Sequence, residues 1–78
     1  MGRTIHLKVT DEDERTHHFE IVEGRGEYIV YRVQYESGLM ALFSGPYRTE
    51  IARAKSYDRA IEYMRSFVGR KIRRIEER

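Results

Sequence analysis

From Thr4 to Thr10 apolar and polar residues alternate, with Ile5, Leu7 and Val9 on one side and His6 and Lys8 on the other. A period of two is the mark of a strand with one buried face. The run Asp11-Glu12-Asp13-Glu14-Arg15 is too polar to bury anything and predicts a loop, after which Phe19 and Ile21 resume the alternation toward Glu23. Leu7 opposite Phe19 and Ile5 opposite Ile21 make this a hairpin with a five-residue connection. Gly24-Arg25-Gly26 supplies residues suited to the positive φ of a second tight turn. The stretch Glu27 to Tyr35 then predicts the longest strand, with Ile29, Tyr31, Val33 and Tyr35 on one face and Tyr28, Val30, Arg32 and Gln34 on the other. A turn at Glu36-Ser37-Gly38 leads into an expected fourth strand over Leu39 to Ser44, and Tyr47 to Lys55 predicts a weaker fifth.

Helical periodicity takes over near the end. Ser56 is suited to capping, Asp58 places a negative charge in the first turn, and Tyr57, Ala60, Ile61, Met64, Phe67, Val68, Ile72 and Ile75 recur at helical spacing. The pattern predicts one amphipathic helix running to the C-terminal end, bent or closely packed at Gly69. Met64 and Val68 are expected against the sheet face that bears Ile29, Tyr31 and Val33. The fold class is therefore α+β, an antiparallel sheet of four to five strands followed by one long helix, in a single domain over residues 1–78.

One helix covers one face of a sheet, yet the central strands are apolar on both. Val22, Tyr28, Val30, Met40 and Leu42 form the second set, and a water-facing sheet surface should alternate with polar residues there. Either the sheet curls into a small barrel or this face meets a partner, a homodimer being the simplest arrangement. Ile72 and Ile75 extend the same expectation, because a helix of some twenty residues spans about 30 Å and overhangs a six-residue strand of about 20 Å. Fraying of a charged terminal segment is the alternative.

Charge changes the picture of the second half. Residues 1–40 carry five basic and eight acidic side chains, net −3, whereas residues 41–78 carry ten and five, net +5. On a helical wheel Arg59, Arg70, Arg73 and Arg74 fall opposite the apolar stripe with Tyr63 among them. Arginine forks pair well with phosphate and an aromatic ring among them can stack on a base, so a DNA- or RNA-binding helix is one reading. A solvated face with Glu62, Glu76 and Glu77 as salt partners is the other. A protein partner docking on the second sheet face is the alternative function.

Composition excludes several chemistries. With no cysteine there is no disulfide framework, thiolate metal site or cysteine nucleophile, and this accords with a reducing, cytoplasmic setting. No apolar run approaches a membrane span. The absence of Asn, a lone Gln34 and twelve arginines fit a protein that works hot. His17 and His18 are adjacent in a strand and point to opposite faces, while His6 and His18 share the outer face beside Glu20, too sparse a set to predict a metal. Asp11 and Asp13 resemble the start of a calcium loop, but Arg15 stands where a ligand is needed. Gly24-Arg25-Gly26 enters a strand rather than a helix and is not a nucleotide fingerprint. The serines have no histidine partner in any motif, so neither catalytic residues nor a cofactor are expected.

The order of strands and then a helix is similar in outline to small archaeal chromatin proteins of the SH3-like barrel kind, and to single-stranded-DNA-binding coactivator domains that dimerise through sheet and helix. The likeness is one of element order and carries no functional residue across. The tryptophan platform of the chromatin proteins has no counterpart, since the chain contains no tryptophan.

Overall fold

A computed structural model describes residues 2–35 and 46–78. The elements are β1 (Arg3–Asp11), β2 (Thr16–Gly24), β3 (Glu27–Gln34), β4 (Tyr47–Ala54), α1 (Tyr57–Val68) and β5 (Ile72–Glu77). They build one sheet of order β4-β3-β2-β1-β5 in which every neighbouring pair is antiparallel. The α+β class is the expected one. The expected strand over Leu39 to Ser44, with Met40 and Leu42, lies outside the described residues.

The first hairpin follows the alternation, with Leu7 opposite Phe19 and Ile5 opposite Ile21. The second differs by one residue in its turn. Gly24 pairs with Glu27, leaving only Arg25 and Gly26 in the loop, at φ 50° and 76°. Two successive positive φ values give the primed turn whose twist matches the flanking strands. This turn sets Val30 opposite Ile21 and places Val30 on the core face.

The helix accordingly covers the opposite face of β3 from the one expected. Met64 and Ala60 are wholly buried with Val30, Ile21, Phe19, Ile5, Leu7 and Val9, while Ile29 and Tyr31 lie on the other side. Ala52 and Ala54 of β4 also face the helix, and their small side chains let α1 lie close over β3 and β4. The residues expected at an interface must be reassigned. Val30 is a centre of this chain's own core, and Tyr28 faces the helix with its ring edge-on to Tyr57 at 6.1 Å.

Helix α1 starts as its sequence predicts and stops earlier. Ser56 Oγ accepts the Arg59 N–H at 3.2 Å, satisfying a donor that the first turn leaves free. Gly69 sits at φ 70° and donates its N–H to the Arg65 carbonyl at 3.2 Å, so it terminates the helix rather than bending it. The chain then crosses to the far edge and pairs with β1 as β5. Ile72 and Ile75, three residues apart, both pack on the core because a bulge opposite Thr10 and Asp11 absorbs one residue between them. An overhanging helix that needs a partner is thereby replaced by a strand completed within the chain.

The acidic loop is likewise more structured than its composition suggests. Asp11 is fully buried, its Oδ1 accepting the N–H groups of Asp13 (2.9 Å) and Arg15 (3.0 Å) and its Oδ2 lying 2.9 Å from His17 Nε2. Glu14 takes a positive φ of 65° inside this turn, and the Glu12 N–H donates to the Lys71 carbonyl at 2.8 Å, joining the loop to the approach to β5. The hydrogen bond to His17, with those from Arg15 and Asp13, holds the Asp11 carboxyl below the usual carboxylate range despite burial. A depressed folded-state pKa means the unfolded chain binds more protons between the two values, so stability present above the ordinary carboxylate range is lost as pH falls through Asp11's lowered pKa. Urea midpoints measured from about pH 5 to pH 2 are expected to fall less steeply in Asp11→Asn than in the wild type. Parallel curves would mean that Asp11 does not carry the acid sensitivity.

Candidate nucleic-acid interface

The structure disperses the expected basic stripe. Arg59 and Tyr63 are on the outer side of α1, where Arg59 pairs with Glu62 at 3.5 Å and Tyr63 is exposed. Arg70 follows the helix and Arg73 and Arg74 belong to β5, so these three share no helical face with the other two. Each also has a carboxylate partner. Arg70 pairs with Asp13 at 2.6 Å, Arg73 with Glu14, and Arg74 with Glu76 at 2.8 Å. The first two pairs bind the β1–β2 loop to the α1–β5 connection and to β5, which makes them ties between elements rather than free phosphate contacts.

The sheet face opposite α1 is uncovered by any described element. At its centre Val22 lies opposite Ile29, both half-buried, and among the described residues that were expected at an interface Val22 is the one on this face. Around that pair the charges are matched. Glu20 receives Arg48 at 3.1 Å and His6 at 3.2 Å, Arg48 also lies 4.6 Å from the centre of the Tyr31 ring, and Arg53 bridges Glu50 (2.9 Å) and Glu27 (3.4 Å). The Arg53 hydrogen bond holds the Glu50 carboxyl below its ordinary range. This region has no spare charge to offer.

One end of the face is different. Lys8 lies directly opposite His18 on β2 and Glu76 on β5, but the Glu76 carboxylate is engaged by Arg74. Beyond Glu76, the Arg78 N–H donates to the His6 carbonyl at 2.8 Å, which brings the Arg78 side chain to the same end. Lys8 and Arg78 have no carboxylate within 4.0 Å among the described residues, the nearby Glu20 being taken by His6 and Arg48. The ring of Tyr35, 61% exposed, stands edge-on to His18 at 5.0 Å. A cleft of about 260 Å³ opens here between His6, His18, Glu20, Val33, Tyr35 and Arg78.

His18 reports the local field. Partial burial first, then the positive charges of Arg78 and Lys8, hold its imidazole below the usual histidine range. The smaller part of that shift, the repulsion from Arg78 and Lys8, is one that a bound anion would relieve. No protein-family model, curated protein or solved structure matches the chain. The reading of this surface therefore stands on its own residues.

Among the described residues no group of three metal-binding side chains occurs, and His6 and His18 face outward beside Glu20 as the alternation predicts. No described helix is long and apolar enough to cross a membrane. Sequence reasoning placed Lys8 and His18 on the outer face but gave them no role. Arg78 joins them only because β5 pairs with β1, which no local pattern announces.

Proposed function

We propose that this protein is a small non-enzymatic module that associates with nucleic acid through the open face of its sheet, with Lys8 and Arg78 on phosphate. The observation that carries this reading is the pair of unmatched cations beside an exposed aromatic ring, on a face whose carboxylates are already engaged. Charge in excess of its local partners is what a polyanion recognises, and Arg59, Arg70, Arg73 and Arg74 do not offer it.

The test is fluorescence anisotropy of a labelled oligonucleotide across a salt series. Each phosphate neutralised contributes a slope of about −0.9 in log affinity against log salt for duplex, or about −0.7 for a single strand. Lys8→Ala with Arg78→Ala is expected to reduce the slope by about one to two, and Arg70→Ala with Arg73→Ala to leave it nearly unchanged. Bound phosphate also favours protonated His18, so affinity should rise as pH falls toward and through the lowered pKa of His18, and that dependence should be lost in His18→Gln. Absence of binding to any nucleic acid at low salt would refute the proposal.

The half-buried Val22 and Ile29 favour a second reading, docking of a protein or of a second copy of the chain on the same face. Apolar docking hardly responds to salt. Salt-insensitive self-association in sedimentation, abolished by Val22→Glu, would select it.

A further inference from the structure

We infer that the ligand of this face is single-stranded nucleic acid, with one base lodged on Tyr35 beside His18 while its backbone runs past Lys8 and Arg78. This rests on the nucleic-acid reading of the same surface and adds the form of the strand. Tyr35 combines a largely exposed ring with an edge-on imidazole neighbour, an arrangement with a free aromatic surface at a fixed place. Every base has a π-face, so such a ring accepts a base with little regard to sequence, but only a base that is not already stacked in a duplex.

The cleft adds a second reason. It lies between the ring and the Arg78 side chain and is lined by groups able to meet a base edge, namely His6, His18 and the Glu20 carboxylate at its side. Glu20 accepts from His6 and Arg48, one on each oxygen, and its carboxylate keeps lone pairs that can accept from a base amino group. A carboxylate within the site also disfavours a phosphate there, leaving the phosphates to Lys8 and Arg78 at the rim.

Duplex recognition lacks comparable support. A helix that enters the major groove needs several free donors along its outer side, whereas on α1 Arg59 is paired with Glu62 near Asp58, Arg65 alone is an exposed arginine with no ion pair among the described residues, and the exposed Tyr63 has no ring partner among them. On the sheet, by contrast, two cations without an ion pair among the described residues and an exposed ring stand together around one cleft.

The experiment compares a labelled twelve-nucleotide single strand with the corresponding duplex, using the full chain at low salt. The single strand is expected to bind at least ten-fold tighter. Tyr35→Ala should lower its affinity by about ten-fold or more, Tyr35→Phe should retain it, and Tyr63→Ala should leave it unchanged. Proton spectra should show the Tyr35 ring resonances moving upfield on addition of the single strand, as stacking requires. Equal affinity for both forms with Tyr35→Ala silent would overturn this inference and leave the phosphate contacts standing. Loss of binding confined to Tyr63→Ala would overturn it in favour of the helix. No binding of either form would remove both the inference and the reading beneath it.

Discussion

Val30→Lys is expected to abolish folding, whereas Ile29→Lys, one residue earlier in the same strand, should leave a folded protein. Val30 is wholly buried, with Ile21 and Ala52 as its neighbours across the sheet and the helix over it. An ammonium group there finds no carboxylate, and an uncompensated buried charge costs several kcal/mol, of order 3–5 where a buried partner has been removed. A small domain has roughly 5–15 kcal/mol in total, so that cost and the lost apolar packing together consume much or all of it. Ile29 is half-buried on the open face, where a lysine stem can lie along Val22 and its charge reach water. Circular dichroism on heating should show a cooperative transition for Ile29→Lys and none, or one far lower, for Val30→Lys. Folding lost in Ile29→Lys and kept in Val30→Lys would mean that β3 is registered the other way round. The experiment also separates burial within the chain from an interface between chains, because a Val30 at a dimer contact would yield a folded monomer.

Met64→Ala should be the most costly single truncation in the helix, destabilising by about 2–5 kcal/mol as a buried large-to-small change. Its side chain is fully buried one turn beyond Ala60, and no other large side chain of α1 is buried as completely. In a domain of this size each kcal/mol moves the midpoint by about 4–8 °C, so Tm should fall by roughly 10 °C or more. Tyr63→Ala, on the outer side of the same helix, should stay within about 0.5 kcal/mol. A Met64→Ala loss below that figure would place the helix elsewhere. The size of the effect does not depend on which sheet face the helix covers; what identifies the face is its coupling to Val30. A milder Val30→Ala combined with Met64→Ala should be non-additive, while Ile29→Ala with Met64→Ala should add.

Most single elements were legible because their signals are local. Strict alternation in Thr4 to Thr10 and around Phe19 and Ile21 arises from one buried face, and the observed hairpin follows it residue by residue. The start of α1 was legible for a similar reason, since Ser56 caps it through a contact three residues away. The candidate site was legible only in part. Alternation turned His6, Lys8 and His18 outward, but the basic stripe was drawn on a helix that ends at Val68, so Arg70, Arg73 and Arg74 were given a common face they do not have.

Sequence by itself determined the α+β class, the first hairpin and the face it buries, the cap at Ser56 and the absence of cysteine chemistry. Tertiary structure decided the rest, through register and pairing. β3 is apolar on both faces, so its pattern fits either orientation, and the turn of two rather than three residues places Val30 inside. Ile72 and Ile75 have the spacing of a helix, and only pairing with β1 across a bulge turns both to the core. That same pairing carries Arg78 to Lys8 and His18 and so assembles the candidate site. Periodicity records how one segment is exposed, whereas these outcomes depend on which segment lies beside it, a property of the folded chain as a whole.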